Sequence, residues 1–227
     1  VAALKVETRT TASKVRNASI KSGLLEGLSY VRKSKFLPGL IFFSFLIEFS
    51  AFPVVNGLMT VVCDELYELG GTGIGRLAAV ASLGALSGAT YIGIRKNLAN
   101  PTRIMIIGST IWHFIMLLLA LTPPLWLFAL MLFIWGFSGG TTFVAMVAGL
   151  LRATTTETRG RVMGIRSLGI YGLPLGLLLG GWIAEESGSA AMIATLGGLG
   201  FIATLAATLK WPALLGAQLR PTETEEV

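Results

Sequence analysis

Cysteine occurs once, at Cys63, and histidine once, at His113. A single thiol excludes an internal disulfide and a cysteine metal cluster. No metal site and no other cofactor is expected. Charge is scarce too: Asp, Glu, Lys and Arg make up 13% of the chain, where an ordinary soluble domain carries about 25%. An early apolar run is also missing. The first 36 residues are polar and basic, so no cleavable signal peptide is expected.

What is abundant is apolar surface: 53% hydrophobic residues and a mean hydropathy of +0.74. A single soluble core cannot hide that much from water, so the chain reads as an integral membrane protein whose first partner is the lipid bilayer. The formal charge of +6 does not point to nucleic acid. Its basic residues flank apolar runs instead of forming a face. The chain begins at Val1 rather than Met, which reads as a fragment or an alternative start.

Residues 1–17 are rich in Lys, Arg, Ser and Thr and read as a disordered cytoplasmic segment. Over 18–35, Ile20, Leu24, Leu25, Leu28 and Val31 form a helical stripe with Lys21, Arg32 and Lys33 off it. That pattern fits an amphipathic cytoplasmic helix, lying on the membrane or packed on another part of the protein. Six apolar runs follow, at about 36–62, 74–94, 104–121, 125–151, 162–184 and 189–211, and 212–227 remains as a cytoplasmic tail. A crossing helix needs roughly 20 residues, and each run is near that length. Lys and Arg fall before the first run, between the second and third, between the fourth and fifth, and after the sixth. The positive-inside rule then places both termini in the cytoplasm. Cys63 falls in an outer loop on this reading, open to an impermeant maleimide from outside the cell. Arg76, the lone basic residue near an outer end, is expected to pair with Asp64 or Glu65.

The stretch 159–185, RGRVMGIRSLGIYGLPLGLLLGGWIAE, has the most structure to it. Arg159, Gly160 and Arg161 form a tight basic turn at its cytoplasmic end. Gly172, Gly176 and Gly180 recur at every fourth position, so they share one stripe of a helix. Small residues at that spacing let membrane helices approach backbone to backbone. Gly84 and Gly88 repeat the spacing in the second run. Pro174 removes one backbone donor, so a bend is expected there. A Gly face, a Pro bend and a basic hinge suit a helix that moves against its neighbours.

These pieces carry a family likeness. LLEGLSYVRKSKFLPGLI at 24–41, GIGRLAAVASLGALSGA at 73–89, PLWLFALMLFIWGFSGG at 124–140 and the 159–185 stretch occur in order and at the right spacing. Together they make the chain, over about 24–211, resemble the C-terminal half of a major facilitator superfamily transporter, in the branch of drug exporters and the enterobactin exporter. The resemblance implies an all-α membrane protein of six transmembrane helices, helices seven to twelve of that fold. It implies a substrate path near the bilayer midplane, shared with an N-terminal six-helix half or a second copy of the chain. Alternating-access, proton-coupled export of a drug- or siderophore-like small molecule from a bacterial inner membrane is the function it implies, with no enzymatic step. The family's loop signature, G-x-x-x-D-R-x-G-R-R, is met at Gly93 and Asn97 but not at its Asp-Arg pair, which puts the gating role of that loop in doubt.

Glu48 is the sharpest candidate for the proton and substrate pathway. Charge at mid-bilayer costs on the order of 2.5–3.5 kcal/mol on insertion scales, and intramembrane acids are functional by default. A carboxyl there can exchange a proton as water access changes, or hold a cationic substrate; the alternative is a structural hydrogen bond to a neighbouring helix. Trp135, Ser138, Thr141 and Thr142 place an indole and hydroxyls along the fourth run, where they line a substrate path or bond their own helix carbonyls. Asn56 and Tyr171 are further cavity candidates. His113, among bulky apolar residues, reads as a packing residue. Two other functions compete. One is a truncated or split, non-transporting subunit. The other is a rhomboid-like intramembrane serine protease, since Gly136, Ser138 and Gly139 fit G-x-S-G; there the base would have to be His113, which comes before the serine instead of after it.

Overall fold

The computed structural model describes residues 20–95 and 98–216, with backbone alone over 20–26. The segment 1–17, Asn97 and most of the tail lie outside the described residues. Every regular element within them is helical.

Helix α1 (Ile20–Lys33) leads in. It packs on a later helix, α7 (Arg159–Ser167): a Cβ at Gly27 would stand 2.9 Å from Ile165 Cδ1. Helix α2 (Leu37–Ser50) follows, with proline in its first turn, where the missing N–H is no loss. Pro53 then disturbs the ladder, and Val54–Leu58 winds as a π-helical turn before α3 (Met59–Tyr67). Leu37–Tyr67 is thus one interrupted rod of 31 residues. It runs beyond the expected end at 62, and Cys63, Asp64 and Glu65 are helical, not loop. Val62 and Cys63 are buried, and this apolar edge sustains the helix for another turn. It stops at Glu68, whose φ of 52° is left-handed, with the Leu69 N–H bonded back to the Cys63 carbonyl.

Helices α4 (Gly71–Gly93), α5 (Pro101–Leu119) and α6 (Leu125–Arg152) come next. Helices α4 and α6 meet with almost nothing between their backbones. A Cβ on Gly84 or Gly88 would collide with the carbonyl oxygens of Phe133 or Phe137. One on Gly136 or Gly140 would collide with those of Ala81 or Ala85. Four glycines, two from each helix, make this contact.

Beyond α7, Leu168–Tyr171 tightens to a 3₁₀ turn before α8 (Gly172–Lys210). Pro174 has no N–H for the Ile170 carbonyl, so the irregularity falls one turn ahead of the proline itself. At 39 residues, α8 would be about 58 Å if straight, twice a bilayer core. It is not straight. Gly188 sits at φ 84°, ψ 165°, a conformation a side chain resists. The arms fold back on each other there, so that a Cβ at Gly180 would stand 3.2 Å from Leu196 and 3.5 Å from Met192. A short α9 (Ala213–Gly216) closes the described chain.

Among the described residues, four segments are long and apolar enough to cross a membrane: Leu37–Tyr67, Pro101–Leu119, Leu125–Arg152 and Arg159–Lys210. Helix α4 is long enough, but Ala, Gly and Ser carry little hydropathy and it includes Arg76. The connections sort to two ends. At one, Arg152 donates to the Leu98 carbonyl and Thr102 to the Leu214 carbonyl, at 2.5 and 2.6 Å. At the other, Tyr67 donates to the Pro123 carbonyl at 2.6 Å. There too Glu65 accepts the Ser189 N–H at 3.0 Å, together with the Ser189 hydroxyl. Glu65 therefore caps the second arm of α8 instead of pairing with Arg76.

Candidate functional site

Glu48 lies two residues before the end of α2, half-buried, near the junction of the 3₁₀ turn with α8. A Cβ added to Gly172 would stand 3.3 Å from the Glu48 Cβ and 2.8 Å from the Phe45 carbonyl oxygen, so only glycine lets α8 come this close. Gly176 is tighter still, against the Phe49 carbonyl, and Gly180 faces Leu58 at 2.6 Å. Arg166, at the end of α7, lies within electrostatic reach of the Glu48 carboxyl. Arg166 in turn lies over the Phe143 ring of α6, 5.2 Å from its centroid. An acid, a cation and an aromatic face thus join α2, α7 and α6.

Phe143 also belongs to the wall of a cavity of about 450 Å³. The π-helical turn contributes Asn56, with Phe52 just before it; α5 contributes Trp112, and α6 contributes Trp135 and Phe143. Ala81, Ala85 and Ala89 of α4 form the opposite wall. Phe52 meets Trp112 edge to face at 5.9 Å, and Trp112 meets Trp135 the same way at 5.3 Å. The space exists because its α4 and α6 walls are built from Ala and Gly while its rings come from α5, α6 and the Pro53 bulge.

The model of the Major Facilitator Superfamily matches residues 39–226. The chain belongs to the major facilitator superfamily. No curated protein matches it. Membership makes it an integral membrane protein of a superfamily that moves small molecules across membranes and whose members are generally not enzymes.

Within this superfamily chain the expected pathway residues separate into groups. Asn56 and Trp135 line the aromatic cavity; Glu48 does not. Asn56 is exposed and gives its amide N–H to the Phe52 carbonyl at 3.1 Å. Ser138 and Thr141 line a second cavity of about 320 Å³ between α4, α5 and α6, beside Tyr91 and Arg95. Their hydroxyls, and that of Thr142, donate to carbonyls of their own helix. Tyr171 is 68% exposed and lines neither space. Gly93 closes α4 with open space around it, and Arg159, Gly160 and Arg161 form the exposed first turn of α7.

His113 is more than packing. Its Nδ1 donates to the Ser109 carbonyl at 2.8 Å and its Nε2 meets the Ser50 hydroxyl at 2.7 Å. Both ring nitrogens are taken up by groups other than Ser138, whose hydroxyl bonds its own helix, so the two do not form a nucleophile–base pair. Trp112, Phe52 and Phe143 are cavity residues that sequence reasoning missed, and for Trp112 there was something to find. The signal was present: Trp112 stands eleven residues before Pro123, and Trp135 eleven after Pro124, so a hairpin closing at that Pro pair sets them at one level.

Proposed function

We propose that the chain is one six-span half of a transporter, exporting a drug- or siderophore-like compound by alternating access in exchange for protons. On this reading Leu37–Tyr67, α4, α5 and α6 are the first four spans, and the two arms around Gly188 are the fifth and sixth. The basic ends gathered near Leu98, Arg152 and Leu214 face the cytoplasm of a bacterial inner membrane. The opposite wall of the passage comes from an N-terminal six-helix half or from a second copy.

The observation that carries the reading is the half-buried carboxyl of Glu48, set where α8 rides on glycine and within electrostatic reach of Arg166, whose guanidinium lies over Phe143 in the wall of an aromatic cavity. An acid within reach of a cation has two states. Charged, it attracts Arg166; protonated, it no longer does, and the α2–α8 contact is free to shift.

The test is Glu48→Gln in cells producing the complete transporter, with ethidium accumulation and proton flux measured together. Gln mimics the protonated acid, so proton-driven efflux is lost while membrane insertion is normal. Full efflux by the Gln variant takes Glu48 out of the mechanism.

A further inference from the structure

The 320 Å³ cavity between α4, α5 and α6 is a groove on the outer face of the bundle. Its rim residues Tyr91, Ile107, Ile111 and Ile134 are exposed, while Ser138 and Thr141 form a buried floor. Both floor hydroxyls donate to carbonyls of α6, at 2.8–3.0 Å, so neither is left as a donor for a polar guest. Ile104, Ile107 and Ile111 of α5 run along one side for about 10 Å. The body of the groove is therefore a slot for hydrocarbon. One end differs. Arg95, just past the end of α4, holds its guanidinium 4.3 Å from the centre of the Tyr91 ring and donates to the Tyr91 hydroxyl. That contact fixes the side chain and leaves other N–H groups for an acceptor. Among the described residues, the wall of the groove holds no carboxylate to take them.

The chain around Arg95 adds charge of the same sign. From Arg95 to Arg103 it carries Arg95, Lys96 and Arg103 and no Asp or Glu. Arg152, at the end of α6, is held at the same level by the Leu98 carbonyl. Tyrosine and arginine side by side suit the headgroup level of a bilayer. A soluble anion would meet Arg95 and have no use for the slot. A neutral hydrocarbon would fill the slot and ignore Arg95. A zwitterionic lipid would bring its ammonium group up to a basic surface. We infer that α4, α5 and α6 seat one anionic phospholipid, its phosphate on Arg95 and one acyl chain along Ile104, Ile107 and Ile111. The inference rests on the reading of α4 as a span and not on transport or its coupling.

Native mass spectrometry of the detergent-purified chain, titrated with dioleoyl phosphatidylglycerol or dioleoyl phosphatidylcholine, tests it. The unaltered chain takes up one phosphatidylglycerol about tenfold more tightly than phosphatidylcholine, the difference a charged hydrogen-bonded contact makes. Arg95→Gln abolishes the preference. Arg76→Gln, which removes the same charge at the other end of α4, leaves it in place. Ile107→Trp, on the exposed rim, closes the slot and weakens both lipids. Equal affinity of the two lipids for the unaltered chain overturns the inference. So does an equal loss in Arg76→Gln and Arg95→Gln, which is general attraction to a basic protein. Phosphatidylglycerol binding that ignores Ile107→Trp, or that millimolar glycerol 3-phosphate displaces, leaves an anion on Arg95 without a chain in the slot and overturns the lipid. A dimer that excludes lipid and is broken by Ile107→Trp gives the groove to a second copy instead. The comparison of the two lipids on the unaltered chain decides even where a variant fails to fold. Binding is read without transport, so the outcome is separate from that of Glu48→Gln.

Discussion

Nε2 of His113 on α5 stands 2.7 Å from the hydroxyl of Ser50 on α2, deep in the bundle. Nδ1 donates to the Ser109 carbonyl, so the neutral ring presents a lone pair at Nε2. Ser50 has one proton for two acceptors, since its hydroxyl also lies 2.6 Å from the Leu46 carbonyl. Ser109 extends the chain to Thr204 of α8 at 3.1 Å. This polar strand is what ties three helices together where apolar packing alone specifies no partner.

Removing the hydroxyl therefore exposes the weakness of the arrangement. Ser50→Ala leaves a buried ring nitrogen with no donor, a loss of about 1–3 kcal/mol. Thermal unfolding in detergent reads it as a lowered midpoint. Gly200→Ala goes further, because its methyl would collide with the imidazole ring itself. If both variants melt like the parent, His113 is not held by this network.

The glycines divide into two kinds with opposite outcomes. Gly84→Ala, Gly140→Ala and Gly176→Ala each drive a methyl into a neighbouring backbone carbonyl, and backbone does not give way. Each costs about 1–3 kcal/mol or more, the range for overpacking. Gly181→Ala on the same arm of α8 meets open space. It gains about 0.5–1 kcal/mol from helix propensity. Melting curves of the four variants give the signs, and a uniform response would deny that α4–α6 and α2–α8 pack backbone to backbone.

Glu65 holds the fold of α8 at Gly188. Its carboxylate accepts from the N–H and the hydroxyl of Ser189, the first residue of the second arm. Glu65→Ala removes a helix cap worth roughly 0.5–2 kcal/mol. Gly188→Ala adds the strain of a left-handed backbone at φ 84°, about 1–2 kcal/mol. Hydrogen exchange on the amides following Ser189 should rise in both variants and stay unchanged at Leu132 in mid-α6.

The helices, their approximate ends and the small-residue stripes were legible because each is a local pattern: a period, a proline, a run without charge. Partners were not. Periodicity marks a face but not what covers it, so Trp112 and the Ser50–His113 bond escape notice, and Arg76 is left with Asp64 or Glu65 as equal candidates while Glu65 caps Ser189. Hydroxyls leave two readings open, a substrate path or a bond within their own helix. Ser138, Thr141 and Thr142 sit mid-helix in a polar, Gly-rich run, yet all three spend their protons on their own helix. In an apolar surrounding the nearest carbonyl wins. The continuation of α3 through Cys63 was hidden by the charges of Asp64, Glu65 and Glu68, which suggest a loop although the buried edge of the helix runs past the first two.

That continuation changes the topology test. As a loop residue, Cys63 would take up an impermeant maleimide from outside; in α3 it is fully buried. The folded chain should therefore resist labelling from either side, and its thiol should react only after denaturation. Asp64 is the next residue along the helix and faces outward. Cys63→Ala combined with Asp64→Cys puts an accessible thiol at the same membrane level. On the proposed orientation it labels in intact cells, while Cys63→Ala combined with Thr156→Cys, at an exposed site in the connection between α6 and α7 that Arg152 and Arg159 flank, labels only after lysis. The reverse pattern would turn the bundle over and move the Glu65–Ser189 cap to the cytoplasmic side.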